Sequence, residues 1–391
     1  MLKALGWIAG ILVVVLAALW WITKPTAPEA FYAWNAAIPA KSGTLLRREA
    51  FTRGVPNGAV AWRILYVTTL QGKPALASAV VMESAAPARV PRPVIDWTHG
   101  TTGVASGCAP SASAKPFHWI PALNDLLAKG WVYVGTDYAG LGTQGPHPFL
   151  IGPDEAHSSL DAVRAARQLK SAHLANRVVV WGHSQGGNAA LWTGIEAPRY
   201  APDVNIVGIA AIAPASDLVP LVAHVRGPVV NVFLSYILRA YGAYYPDVQA
   251  KDYVTTRARL FTGDMATRCL LDWRALFAVG EAVLAGSTFF AKDPAQGTLG
   301  KRLRENTPDG AIPKPVMIAQ GGADPIILPA IQKAFVQRRC AAGQKIEYKL
   351  YKGLTHGSIV ELGSPLDDDL VRWTAERFDE KEQKDICKSR E

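Results

Sequence analysis

Residues 176–187 read Asn-Arg-Val-Val-Val-Trp-Gly-His-Ser-Gln-Gly-Gly. The β-branched run Val178-Val179-Val180 leads into Gly182-His183-Ser184-Gln185-Gly186, and Asn188-Ala189-Ala190-Leu191-Trp192 continues as a helix-forming stretch. This is G-x-S-x-G between a strand and a helix, a sharp turn that stands a serine hydroxyl clear of a sheet. Strand and helix pass close together there, so side chains at positions 182 and 186 would collide. The bare five-residue pattern arises by chance in about one chain of this length in ten. The strand before it and the helix after it are what make Ser184 a candidate nucleophile. The Gln185 amide falls at a helix N-terminus, where free N–H groups favour negative charge. It is expected to form one half of an oxyanion hole.

A serine nucleophile needs a base, and the base needs an orienting acid. On a strand–turn–helix scaffold of this kind the chain order is Ser, then Asp or Glu, then His. Past residue 200 the histidines are His224 and His356. His224 sits in the apolar Val222-Ala223-His224-Val225 and reads as a packed or surface residue. His356 lies in the glycine-bounded loop Lys352-Gly353-Leu354-Thr355-His356-Gly357, after the strand-like Lys345–Tyr351, and is the expected base. The expected acid is Asp324, in the turn Gln320-Gly321-Gly322-Ala323-Asp324-Pro325 after the buried run Pro315–Ala319. Aspartate before proline also starts turns for structural reasons, and Asp217, after the run Ile206–Ile212, is the competitor. The second oxyanion donor is placed at the Thr101 amide, in the loop Thr98-His99-Gly100-Thr101-Thr102-Gly103 after the strand-like Pro93–Trp97. His99 reads as structural.

Ala61–Thr69 and Ala75–Met82, around Gln71-Gly72-Lys73-Pro74, read as a hairpin. Further strands are expected near 93–98, 131–136, 177–182, 206–212, 315–320 and 345–351. A helix is expected over Ser158–Ser171, where Leu160, Val163, Ala166 and Leu169 recur at helical spacing. Alternating strands and helices imply an α/β fold, a mostly parallel sheet with helices on both faces.

Several segments together resemble the secretory lipase family of α/β-hydrolases. They are His99-Gly100-Thr101 with Cys108-Ala109-Pro110-Ser111, Asp137-Tyr138-Ala139-Gly140-Leu141-Gly142, Gly145-Pro146-His147-Pro148-Phe149-Leu150, Gly182–Gly187, and the loops of Asp324 and His356. The resemblance runs from about residue 30 to 387. It implies the same triad, Ser184, Asp324 and His356. It also implies a helical lid inserted before the acid-bearing strand, over about residues 217–310, which hold the apolar run Val229–Leu238. Four cysteines can pair in three ways; the resemblance implies Cys108–Cys269 and Cys340–Cys387. With no Cys-x-x-Cys pair, neither a metal nor a cofactor is expected.

Ala4 to Ile22 carries no charge, which is long enough to span a bilayer. Trp7 near one end and Trp20-Trp21 at the other are placed as interfacial aromatics. Residues 1–24 therefore read as an uncleaved membrane anchor or a signal peptide, ahead of a hydrolase domain over 25–391. Either places the catalytic domain outside the cytoplasm, where disulfides form. The net charge is +9, but the basic residues are spread and lack interleaved aromatics, which argues against nucleic acid. The expected activity is hydrolysis of a small-molecule or lipid ester, as a lipase or carboxylesterase. The alternatives are acyl transfer to an envelope alcohol or sugar, which uses the same nucleophile, and a catalytically silent binding module.

Overall fold

The computed structural model describes residues 2–24, 27–170, 172–224, 226–270 and 273–387. Its strands are β1 (Leu45–Phe51), β2 (Ala59–Leu70), β3 (Lys73–Ser84), β4 (Arg92–Thr98), β5 (Val132–Thr136), β6 (Leu174–His183), β7 (Ile206–Ile212), β8 (Val316–Gly321) and β9 (Ile346–Tyr351). Its helices are α1 (Leu2–Ile22), α2 (Leu123–Ala128), α3 (Gly152–Ala166), α4 (Gln185–Tyr200), α5 (Leu218–His224), α6 (Pro228–Tyr244), α7 (Thr256–Met265), α8 (Ala275–Ala285), α9 (Gly297–Glu305), α10 (Pro329–Ala341) and α11 (Pro365–Phe378). The strands form one sheet in the order β1-β2-β3-β5-β4-β6-β7-β8-β9. β1, β2, β3 and β5 pair antiparallel. From β5 through β4 to β9 every pairing is parallel.

The parallel strands are apolar along their whole length because both faces are covered. Alternate residues face opposite layers. Val94, Val178 and Val180 pack on one side with Leu160, Val163 and Ala190 of α3 and α4. Ile95, Trp97, Val179 and Trp181 pack on the other with Leu370 and Trp373 of α11. This is the α/β-hydrolase architecture expected from the sequence.

Three details differ from the sequence reading. β1 was not among the expected strands. Leu45-Leu46-Arg47-Arg48-Glu49-Ala50-Phe51 does not alternate, because this edge strand is largely exposed. The hairpin strands are longer than expected, with the register running from Ala59↔Ser84 to Leu70↔Lys73. They are joined by Gln71-Gly72 with φ of 52° and 71°, the mirror-image turn whose twist matches that of the strands. α3 starts earlier than Ser158 and ends at Ala166. Pro153 in its first turn, with Asp154 and Glu155, marks the start through N-terminal preferences that hydrophobic spacing ignores. The expected helix end at Ser171 lies outside the described residues.

Between β7 and β8, helices α5 to α9 pack around their own apolar cluster, which includes Val232, Tyr236, Tyr241 and Leu299. Disulfides join Cys108 to Cys269 and Cys340 to Cys387. The first ties the loop after β4 to the segment after α7; the second ties α10 to the C-terminal tail. α1 occupies the apolar N-terminal segment. Among the described residues no helix is long and apolar enough to cross a membrane.

Candidate active site

Ser184 sits between the end of β6 and the start of α4 with φ 58° and ψ −117°, a strained conformation for a residue bearing a Cβ. The strain is held by packing and hydrogen bonds. Ser184 N–H donates to Ile212 O at 2.9 Å, and Ser184 O accepts from Ala215 N–H at 3.0 Å. A Cβ on Gly182 would lie 2.1 Å from Gly186 O, and one on Gly186 would lie 1.9 Å from Thr98 O. Both positions therefore require glycine, and strand, turn and helix meet as closely as the motif demands. Thr98 Oγ1 closes the same junction by donating to Gly186 O at 2.7 Å.

Asp324 and His356 come to the serine from the ends of β8 and β9. His356 Nδ1 lies 2.8 Å from Asp324 Oδ2, and His356 Nε2 lies 2.9 Å from Ser184 Oγ. A carboxylate only accepts, so Nδ1 carries the imidazole proton and Nε2 is left to accept from the serine hydroxyl. Asp324 is held fast: Oδ1 accepts from the amides of Ile326 (2.8 Å) and Ile327 (2.9 Å), and Oδ2 accepts from Gln320 Nε2 (3.1 Å). The competitors lie elsewhere. Asp217 is paired with Arg338 at 2.9 Å. His224 caps its own helix through Pro220 O at 3.0 Å.

Gln185 opens α4, so its amide has no acceptor within the helix. Thr101 faces Ser184 from the loop after β4, and both line two cavities. That loop is braced by Leu270 N–H donating to Thr102 O at 2.8 Å. Gly103, at φ 130°, would place a Cβ 2.6 Å from Cys108 Sγ, so glycine there makes room for the Cys108–Cys269 bridge. His99 is structural, as read: burial lowers its pKa to about 4, and Nδ1 donates to Gly100 O at 2.6 Å.

Three residues at the site were given no role from the sequence: His183, His147 and Glu155. His183, inside the motif, has its pKa depressed by burial and by the neighbouring His356; its Nε2–H donates to His356 O at 3.0 Å and fixes the His356 loop. Gln185 Nε2 donates to Glu155 Oε1 (2.5 Å) and to His147 Nε2 (3.0 Å). Burial lowers the His147 pKa to about 3 and raises that of Glu155, so burial disfavours charge on either group behind Gln185. The G-x-S-x-G pattern places no demand on its x residues, and nothing local ties Glu155 to Gln185.

Two cavities meet at Ser184 and share Thr101 and Phe233. One, of about 220 Å³, is also lined by His183, His356, Trp97 and Tyr133. The other, of about 40 Å³, is walled by Phe149, Leu150, Ile326 and Ile327, and by Val230, Leu234 and Ile237 of α6. His356 borders the first cavity and is absent from the second.

Solved structures share this arrangement of the chain. Candida antarctica lipase A superposes with a TM-score of 0.73 at 19% identity, over 92% of this chain and 87% of that one. A rice cell wall degrading esterase from Xanthomonas oryzae gives 0.69 at 20% identity, over 88% and 100%. Among curated sequences, a Mycobacterium tuberculosis protein named "Probable inactive lipase" is 26% identical over 372 residues, 88% of this chain and 80% of that one. A secreted triacylglycerol lipase of Malassezia globosa is 26% identical over 304 residues, 72% of this chain and 63% of its own length. The model of one family, described as "Secretory lipase", matches residues 120–385, more than half of the chain. The chain belongs to the secretory lipase family.

Proposed function

We propose that the protein is an extracytoplasmic ester hydrolase working through Ser184, His356 and Asp324. The observation that carries this reading is the unbroken hydrogen-bond chain Asp324–His356–Ser184. His356 Nε2 takes the serine proton as Oγ attacks the ester carbonyl carbon. The Gln185 and Thr101 amides stabilise the negative oxygen that results. The carbon–oxygen bond to the alcohol then breaks, and His356 returns its proton to the leaving oxygen. Water repeats the cycle on the acyl-enzyme. The relatives named as lipases support ester substrates. The same residues that make the relay in this chain argue against a silent binding module.

The leaving oxygen must reach His356 Nε2, so the alcohol belongs in the cavity bordered by His356. The acyl chain then enters the cavity walled by α6, Ile326 and Ile327. This assigns a lid role to the inserted helices, α6 above all. At about 40 Å³ that slot is far smaller than a cavity of about 150 Å³ that holds benzene, so it takes a short acyl chain.

The two disulfides and the membership of a secretory family support a site outside the cytoplasm. The last turn of α1 is bonded to the insertion. Trp20 Nε1 donates to Asp264 Oδ1 (3.0 Å), and the buried Arg268 donates to Thr23 Oγ1 (2.6 Å) and Trp20 O (2.9 Å). These contacts favour an N-terminal helix that stays attached over one that is cleaved.

Turnover of 4-nitrophenyl esters from acetate to palmitate tests the reading. The expected optimum is butyrate or shorter, and Ser184→Ala is expected to lower kcat by roughly 10⁶-fold. A palmitate optimum overturns the acyl-slot assignment, and wild-type turnover by Ser184→Ala overturns the nucleophile.

A further inference from the structure

The larger cavity runs from Ser184 and His356 down to the sheet, where Val80 of β3 and Tyr133 and Gly135 of β5 line its deep end. Trp97, Phe117 and Trp119 line its sides, and the rings of Phe117 and Tyr133 meet edge to face, with centroids 6.0 Å apart. Its volume of about 220 Å³ exceeds that of a benzene-binding cavity, about 150 Å³. Flat aromatic walls favour ring contacts, stacked or edge-on.

Tyr133 is 4% exposed. Among the described residues its hydroxyl has no hydrogen-bond partner, and it is not among the polar atoms sealed away in the interior. A Cβ on Gly135 would lie 2.0 Å from that hydroxyl oxygen, so glycine is what lets the phenol lie over this stretch of the cavity wall. The ring is buried while the hydroxyl opens on the cavity, so its donor is free for an acceptor carried by a ligand. Asp137, beside Tyr133 in the cavity wall, has both carboxylate oxygens occupied. Asp137 Oδ2 already accepts from Ser78 (2.6 Å) and Ser111 (2.5 Å), and Oδ1 accepts from the Ser111 amide (2.9 Å). A sugar would bring several hydroxyls to this deep end and leave most of them unpaired.

We infer that this cavity is the leaving-alcohol subsite, and that it takes an aromatic ring whose far edge carries a hydrogen-bond acceptor for Tyr133. The inference rests on the ester-hydrolase reading above. It names the substrate class as short-chain acyl esters of an arylmethanol bearing an ether or carbonyl group opposite its ester.

The test measures kcat/KM of the full chain for the acetates of n-butanol, benzyl alcohol, 4-methoxybenzyl alcohol and methyl glucoside (at O6). The wild type is expected to prefer 4-methoxybenzyl over benzyl acetate by about tenfold, the worth of one hydrogen bond, and to prefer both over n-butyl acetate. Tyr133→Phe is expected to bring the methoxybenzyl-to-benzyl ratio to about one. Its Tm should be unchanged or higher, because the hydroxyl it loses has no partner in the protein. Equal ratios in wild type and Tyr133→Phe, or a preference for the glucoside acetate, overturn the subsite. Failure to hydrolyse any of the four, n-butyl acetate included, overturns the ester-hydrolase reading and the subsite with it.

Discussion

Asp96 is a carboxylic acid in the middle of β4, fully buried, with Ser159 Oγ donating to one oxygen and no partner for the other among the described residues. Burial pushes its pKa up to about 8, against about 3.9 in an unfolded chain. Between those values the folded protein holds a proton that the unfolded chain has lost. The stability this group contributes is therefore fully present below about pH 4 and is lost as pH rises to about 8. Asn at this position copies the neutral acid and can still accept from Ser159. The gap in urea midpoint between wild type and Asp96→Asn should thus move against the wild type from pH 5 to 8, with groups common to both chains cancelling. A gap that stays constant with pH would mean Asp96 is ionised in the fold. Of the site residues, Ser184 was legible because the glycines around it report a clash with Thr98 and Gly186 that any sequence must solve. Asp324 and His356 were legible as polar residues in turns after buried strands. Glu155 and His183 were not, because each bonds a neighbour that only the tertiary fold brings to it.

The elements that position these residues are fixed by different means at the two disulfides. Cys340–Cys387 holds α10 to the tail and closes a separation of 47 residues, worth about 4 kcal/mol through restriction of the unfolded chain. It is remote from Ser184. Replacing both cysteines by Ala should lower unfolding free energy by about that amount and leave kcat unchanged. Cys108–Cys269 closes a separation of 161 residues and sits against Gly103, while the next residue, Leu270, bonds Thr102. Removing that pair should lower kcat as well as stability, because the Thr101 amide loses its support. Equal effects of the two double variants on kcat, read by ester turnover beside urea unfolding, would separate the oxyanion loop from the bridge. Strands buried on both faces were readable as continuous apolar runs. β1 was not, because an exposed edge strand has no apolar face to alternate. The start of α3 was missed because Pro153, Asp154 and Glu155 mark it by backbone and dipole preference, outside the hydrophobic spacing.

The parallel half of the sheet carries β4, β6, β8 and β9, with β7 between β6 and β8, and brings their C-terminal ends to one edge, and every proposed catalytic group follows one of those ends. That convergence is why residues 140 and 32 positions apart in the chain (Ser184 to Asp324, Asp324 to His356) meet within hydrogen-bonding distance. The order of strands and helices announced it in the sequence. The cavities were not announced, since their size depends on how α6 and the loop carrying Phe117 pack against the sheet. The proposed chemistry depends on Ser184 being a nucleophile activated by His356. Its most direct test is incubation of the wild type and of Ser184→Ala with a fluorophosphonate, followed by mass mapping of the peptides. The expected result is one phosphonyl adduct, on Ser184, absent from the variant and lost in step with activity. An unlabelled Ser184 in fully active protein, or an equal adduct on another residue in both chains, would contradict it.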